Sequence, residues 1–224
     1  MRWIYEGSFR FGIRILKPRP KPSRSPRKTP VQARSQTTMR AIFDATIQVL
    51  LRDGVSALTT TRVAKRAGVS VGTLYQYFPN KHALLAAILE QHLGAIAEAI
   101  EAECAAHHGC SVLEMMTALC ATFIEAKIRD REASLALYAL ARELGADAMV
   151  RKSSRRAQTA LISMLATARD ATFADLEAPS FILVSATVGP VQALLEAGAK
   201  PESVAAIRRH LVELCVGYLE RVRL

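Results

Sequence analysis

The chain has 224 residues, 50% of them hydrophobic and 6% aromatic, with 30 Lys+Arg against 20 Asp+Glu and a formal net charge of +10. That is enough apolar material for a substantial core in one large or two small domains, and four cysteines are too few for a disulfide scaffold. The longest apolar candidate, residues 181–195, is broken by Gly189 and Pro190, which argues against a membrane span, while the basic balance points to a polyanion such as nucleic acid.

The charge is unevenly placed. Residues 1–34 carry ten Lys/Arg and one acid, residues 35–82 carry six and two, and residues 83–224 carry 14 and 17. The basic character therefore belongs to the first 82 residues, and the slightly acidic remainder is not expected to bind DNA. Five of the nine prolines lie between Pro18 and Pro30, so residues 1–34 are expected to form a disordered or polyproline-like arm. It reads either as a solvated tail, including residues upstream of the true start, or as a basic arm adding non-specific DNA affinity. Glu6, Arg10 and Arg14 interrupt any secretory hydrophobic region, and a reducing, cytoplasmic setting is expected.

A first helix is expected over 36–52, from the spacing of Ile42, Ala45, Thr46, Val49 and Leu50, stopped by Asp53-Gly54. Thr59-Thr60-Thr61 supplies the cap of a short helix ending at Ala67, and Ser70 caps a third over 71–78. Asn80 caps a long fourth helix that keeps apolar spacing to about Ala106. Five more amphipathic helices follow, roughly 111–128, 131–145, 147–169, 179–197 and 202–223. No stretch shows sustained strand alternation, so the expected fold class is all-α with about nine helices.

Residues 60–79 carry a helix-turn-helix pattern. Ala64 is small where two helices cross, Gly68 permits the positive φ of the turn, and Val63, Val69 and Leu74 pin the helices together. From Arg40 to Leu89 the chain reads RAIFDATIQVLLRDGVSALTTTRVAKRAGVSVGTLYQYFPNKHALLAAIL. This stretch closely resembles the N-terminal domain of the tetracycline-repressor (TetR) family of bacterial transcription regulators. The resemblance lies in the Gly54 helix stop, the threonine caps, VAKRAGVSVGTLYQYF and the Phe78-Pro79-Asn80-Lys81 exit.

The resemblance implies a helix-turn-helix DNA-binding domain over 35–82 and a helical ligand-binding and dimerisation domain over 83–224. It implies a repressor that binds a palindromic operator as a homodimer and is released by a small-molecule effector, with no enzymatic activity and no cofactor. Ser70, Val71, Gly72 and Thr73 would open the recognition helix and face bases and phosphates. Tyr75 and Tyr77 would meet phosphates or thymine methyls, and Gln76 would reach a base edge. Thr60 and Lys81 would bind phosphates at the starts of their helices. Val71 departs from versions with a basic residue there, which leaves apolar contact with thymine. Core packing is the alternative for Tyr75, and a solvated basic face is the alternative for Arg40, Arg62, Lys65 and Arg66.

The final helix is apolar over most of its circumference, more than one core-facing stripe requires. Phe181, Val184, Val188, Val191, Leu195, Leu211, Leu214, Cys215 and Tyr218 are therefore expected at a four-helix interface with a second copy. Met115, Met116, Phe123, Tyr138, Met164 and Gln192 are candidate lining for an effector pocket, with ordinary core as the alternative for each. Few aromatics and many Ala, Leu and Met suggest a lipophilic effector. Glu103, Cys104, His107, His108 and Cys110 cluster in sequence, where metal or thiol sensing competes with a dipole-favoured helix end. No Gly-rich phosphate loop, HExxH or serine elbow is present. An enzyme and a DNA-architectural or membrane-surface protein are the competing classes. A compact palindromic footprint that survives removal of residues 1–34 separates them.

Overall fold

The structure, a computed structural model, describes residues 30–224. Most of the expected basic arm, residues 1–29, lies outside the described residues. Nine helices occur among those described: α1 Pro30–Ala57, α2 Thr60–Ala67, α3 Val71–Tyr77, α4 Lys81–Ala106, α5 Val112–Ile128, α6 Arg131–Glu143, α7 Asp147–Leu165, α8 Glu177–Glu196 and α9 Pro201–Val222.

Local chemistry sets most of these boundaries. α1 starts at Pro30, six residues before the expected Gln36, because proline at a first helical position gives up an amide that has no partner there. Gly54 takes φ 75° and ψ 173°, so the regular helix stops where expected and only a short turn continues to Ala57. Thr59, Ser70, Asn80 and Asp130 each accept an amide of the first turn that follows, and Ser111 with Glu114 forms a capping box on α5. α7 ends at Leu165, not near 169. Beyond it the side chains of Thr167 and Asp170 accept the amides of Gly109 and Val112, both at 2.9 Å, and this locks the α7–α8 connection onto the start of α5.

Two apolar clusters organise the packing. One joins α1, α2, α3 and the first half of α4 through Ile42, Val49, Leu58, Val63, Leu74 and Ile88. It also takes in Leu137 and Leu140 of α6. The other joins the second half of α4 to α5, α7, α8 and α9 through Ile100, Met116, Ile124, Leu161, Leu183 and Leu219. α4 is thus one rod shared by both clusters. α7 is pinned along it by the bidentate Arg156–Glu101 pair (2.7 and 2.6 Å) and by Ser153 Oγ donating to the Leu93 carbonyl (3.1 Å).

Two helices, Lys81–Ala106 and Glu177–Glu196, are long and apolar enough by length and composition to cross a membrane, with window mean hydropathies of 1.4 and 1.5. An uninterrupted-run criterion misses both helices, because Gly189, Pro190 and scattered polar residues break the runs while the apolar majority keeps the window average high. Both helices contribute to the apolar clusters described above.

Leu140 is fully buried where α6 meets the cluster of the first three helices. Leu140→Ala should destabilise the protein by about 2–5 kcal/mol, read as a lower urea midpoint. An unchanged midpoint would show that α6 does not support the N-terminal helices.

Candidate nucleic-acid interface and interior cavity

The α2–α3 pair is held by its apolar faces, which leaves a polar rim. Val63, Ala64 and Leu74 are buried between the helices, and Gly68, at φ 68°, donates its amide back to the end of α2. On the rim, Thr60 Oγ1 and Tyr75 Oη lie 3.2 Å apart, so two sequence-predicted contacts from different helices form one hydroxyl pair. Tyr75 is 48% exposed, and Gln76 and Gly72 are exposed beside it. Ser70 Oγ accepts the Thr73 amide at 2.9 Å and lies 2.8 Å from Thr73 Oγ1, which fixes the entry to α3. Val71 and Tyr77 are half-buried and lean on the apolar cluster, with the Tyr77 and Phe78 rings 6.4 Å apart.

The cations divide into tied and free. Lys81 Nζ donates to the Val55 carbonyl at 2.8 Å and so staples the start of α4 to the end of α1, leaving two ammonium hydrogens. Arg62 reaches Asp53 (3.4 Å) and the Ala57 carbonyl (3.2 Å), and Arg66 donates to Gln48 Oε1 (2.6 Å). Arg40 and Lys65 are exposed. The sequence pattern gave no hint of these internal ties, because Gln48, Asp53 and Val55 approach the cations only once α1 has packed.

In the C-terminal half a cavity of about 130 Å³ opens among α4, α5, α6, α7, α8 and α9. A second, of about 260 Å³, adjoins it toward the N-terminal cluster. Met116, Phe123 and Tyr138 line the first, and Tyr138 and Gln192 line the second. Met115 and Met164 line neither; both are buried in the second apolar cluster. Their helices are apolar on several sides, so composition could not show which methionine faces the space.

Sequence reading missed two ionisable residues of the cavity walls, His92 and Lys127. A signal existed for Lys127: Cys120, Ile124 and Lys127 follow at i, i+4 and i+7 on the buried side of α5. Its ammonium stands 4.3 Å from the centroid of the Tyr138 ring, and burial pulls its pKa down to about 8. Burial and, secondarily, the Lys127 charge hold His92 down at about 4, so it is neutral. Burial pushes Tyr138 up to about 12. Tyr138 Oη and His92 Nε2 are buried without a hydrogen-bond partner.

The expected interface residues separate by face. Phe181 and Leu214 are exposed at 61% and 49%, and Ile182, not singled out from sequence, joins them at 44%. Val191, Leu195, Leu211 and Cys215 are instead buried within their own chain. Val184 and Val188 line the cavity, and Tyr218 is half-buried against the second cluster. The sequence cluster near the end of α4 is also pulled apart. Cys104 is buried with its thiol pushed up to about 12, chiefly by burial, and His107 Nδ1 lies 3.1 Å from the Glu103 carbonyl while His108 is exposed. Among the described residues no group of three or more His, Cys, Asp or Glu side chains is arranged to hold a metal ion.

His92 gives a pH signature. Its folded pKa lies below the unfolded value, so between about pH 6.5 and about 4 the unfolded chain binds a proton that the folded chain refuses. Stability should fall as pH drops through that window, by roughly 2–3 kcal/mol from this residue. His92→Leu should remove that part of the acid sensitivity in urea titrations at pH 7 and pH 4.5. Equal losses in both proteins would contradict a buried neutral imidazole.

Residues 36–88 match the family described as bacterial regulatory proteins, tetR family, and residues 112–219 match the tetracyclin repressor-like C-terminal domain. The chain is 35% identical over 60 residues to the fatty acid metabolism regulator protein of Bacillus subtilis, covering 27% of this chain and 31% of that one. It is 46% identical over 50 residues to the transcriptional repressor KstR of Mycolicibacterium smegmatis, covering 22% and 24%. The matched segments thus span a third or less of these relatives. Bacillus subtilis FadR, solved in complex with stearoyl-CoA, shares the fold at a TM-score of 0.65 and 19% identity, over 79% of this chain and 97% of that one. With one family match on the helix-turn-helix half and another on the helical remainder, the chain belongs to the tetR family of bacterial transcription regulators.

Proposed function

We propose that this protein is a cytoplasmic homodimeric repressor that grips a palindromic operator through α2 and α3 and lets go when a lipophilic effector fills the interior cavity. The observation that carries the reading is the rim of exposed Gly72, Tyr75 and Gln76, with half-buried Thr60 paired to Tyr75, on a three-helix unit whose α4 continues straight into the cavity wall. Base edges are read by polar side chains and phosphates by hydroxyls and amines, and the rim offers both. Thr73 and Gln76 are the base-reading candidates, with Val71 against a thymine methyl. Thr60, Ser70, Tyr75, Tyr77 and Lys81 serve the backbone.

Gly72 has a specific part in this. A Cβ built on it would meet only Ser70 Oγ, at 3.7 Å, so nothing inside the protein demands glycine. Close approach of DNA to the start of α3 would.

The dimer reading rests on α8 and α9. Phe181, Ile182 and Leu214 are large and exposed. Ser185, Gly189 and Ala193 follow at intervals of four on the exposed side of α8, a small-residue face along which a second helix can approach closely. Two copies related by a two-fold axis would place two α3 helices on the two halves of a palindrome.

Effector control rests on the cavity's position. α4 carries Leu89 and Ile88 in the DNA-reading cluster and Leu93, Ile96 and Ile100 on the cavity wall. α6 carries Leu140 into the first and Tyr138 into the second. A ligand that re-seats either helix therefore changes the platform under α3. Coupling of roughly 1–3 kcal/mol would lower operator affinity about 5–150-fold. A lipophilic effector agrees with the stearoyl-CoA bound by Bacillus subtilis FadR and with the fatty acid metabolism regulator among the relatives.

Three measurements check this reading. Gly72→Ala should fold with unchanged or slightly higher stability, because alanine is the better helix former by about 0.5–1 kcal/mol, yet bind operator more weakly. Full binding would place DNA elsewhere. Gln76→Ala and Thr73→Ala should relax sequence preference, whereas Lys81→Ala should weaken all sequences alike and flatten the salt slope by about one unit. In sedimentation at micromolar concentration the protein should be a dimer and Phe181→Glu a monomer; a monomeric parent protein overturns the interface.

A further inference from the structure

His92, Lys127 and Tyr138 stand where the two cavities meet: Lys127 and Tyr138 line both, and His92 lines the second. Lys127 is 5% exposed and is the one charged side chain among the buried described residues. Burial alone accounts for the shift of its pKa, and no carboxylate offsets it. At neutral pH it is still mostly protonated, and its ammonium stands over the face of the Tyr138 ring. The other charged groups near this junction are exposed: Arg142 and Asp147 line the second cavity, and the charge of Asp130 reaches His92.

A buried ammonium without a partner is costly. Beside it, on the wall of the second cavity, Tyr138 Oη and His92 Nε2 are buried without a hydrogen-bond partner. A neutral imidazole can donate from Nε2, so all three groups can serve as donors. On the other side the first cavity is walled by Ile96, Ile100, Phe123, Leu161 and Leu183. Its volume, about 130 Å³, compares with a cavity that accepts a single benzene ring. One end of the space thus lacks a hydrogen-bond acceptor with negative charge, and the other lacks hydrocarbon. An amine would be repelled by Lys127, and an alcohol would leave the ammonium uncompensated.

We propose that the ligand of this cavity is an apolar carboxylate, with its headgroup held by Lys127, Tyr138 and His92 and its short alkyl or phenylalkyl body in the adjoining apolar space. The assignment rests on the reading that the cavity takes an effector, and it names the effector's chemical class. Two chemically related sources are separable: a free carboxylate presents a full charge to Lys127, whereas an acyl thioester presents a neutral carbonyl.

Calorimetry with the full chain tests it, using octanoate, 4-phenylbutyrate, octanol, octylamine and octanoyl-CoA. Octanoate or 4-phenylbutyrate should bind, octanol should bind at least about tenfold more weakly, and octylamine should not bind. Lys127→Met should weaken carboxylate binding by roughly 10–100-fold while leaving octanol unchanged or tighter. The same variant should raise the unliganded Tm, since it removes an uncompensated buried charge; a lysine needed only for packing or as a helix cap would lower it. Tyr138→Phe should give a smaller loss of the same kind, and it keeps the test intact if Lys127→Met does not fold. Equal binding of octanoate and octanol, carboxylate affinity that survives Lys127→Met, a preference for octanoyl-CoA over octanoate, or no binding by either acid would each overturn the proposal. Operator release is measured separately. Carboxylate binding without release removes effector control and keeps the carboxylate site, and release by octanol but not octanoate does the reverse.

Discussion

The arrangement of the described helices hangs on α4 belonging to two apolar clusters and on α6 linking the first of them to the cavity wall. Leu84, Leu85, Ile88 and Leu89 fix the first part of α4 against α1, α2 and α3, and Ile96, Ile100 and Cys104 fix the rest among the C-terminal helices. A close-packed cluster transmits displacement, because moving one buried side chain requires its neighbours to move. A continuous α-helix cannot flex freely between two such clusters. It translates or tilts as a rod, and the start of that rod is stapled to the end of α1 by Lys81 and Val55. α6 makes a second connection through Leu137 and Leu140, and Arg131 at its start donates to the Leu195 carbonyl at 2.6 Å, which joins it to the end of α8. The DNA-reading helices, the cavity wall and the exposed apolar helix are therefore mechanically one system.

The two ends of that system obey opposite chemistry. At the α2–α3 end, polar groups are solvated or paired at modest distances, as with Thr60 and Tyr75, and can exchange water for phosphate at small cost. Inside, Tyr138 Oη and His92 Nε2 are buried without a hydrogen-bond partner, and the Lys127 charge is largely desolvated. Such groups weaken the empty state and strengthen any state that supplies the missing partner. The proposed effector control depends on this asymmetry, since a ligand shifts an equilibrium only through a difference in its interaction with the two states.

What the sequence by itself determined is local. Thr59, Ser70, Asn80, Ser111 and Asp130 announce helix starts by the reach of short oxygen-bearing side chains to amides two or three residues on. Gly54 and Gly68 announce the breaks around the DNA-reading unit, because both need positive φ. Most helix limits in the second half, and the rim residues of α3, were legible from the same short-range rules and from the resemblance of residues 40–89.

The tertiary structure decided which face of each apolar helix points where. α8 and α9 are apolar on several sides, so Val191, Leu195, Leu211 and Cys215 read as well as interface residues as Phe181 and Leu214 do; only packing turned the first four inward. The same ambiguity hid which methionines face the cavity. It also decided the fate of the charges. Arg62, Arg66 and Lys81 are bound by groups that α1 brings to them, and Lys127 is buried where α5 faces Tyr138 of α6. Caps and turns depend on contacts a few residues apart and are written in order along the chain. Helix rotation and the burial of a charge depend on contacts made across the fold, and a local pattern such as the i, i+4, i+7 stripe ending at Lys127 marks only a candidate face.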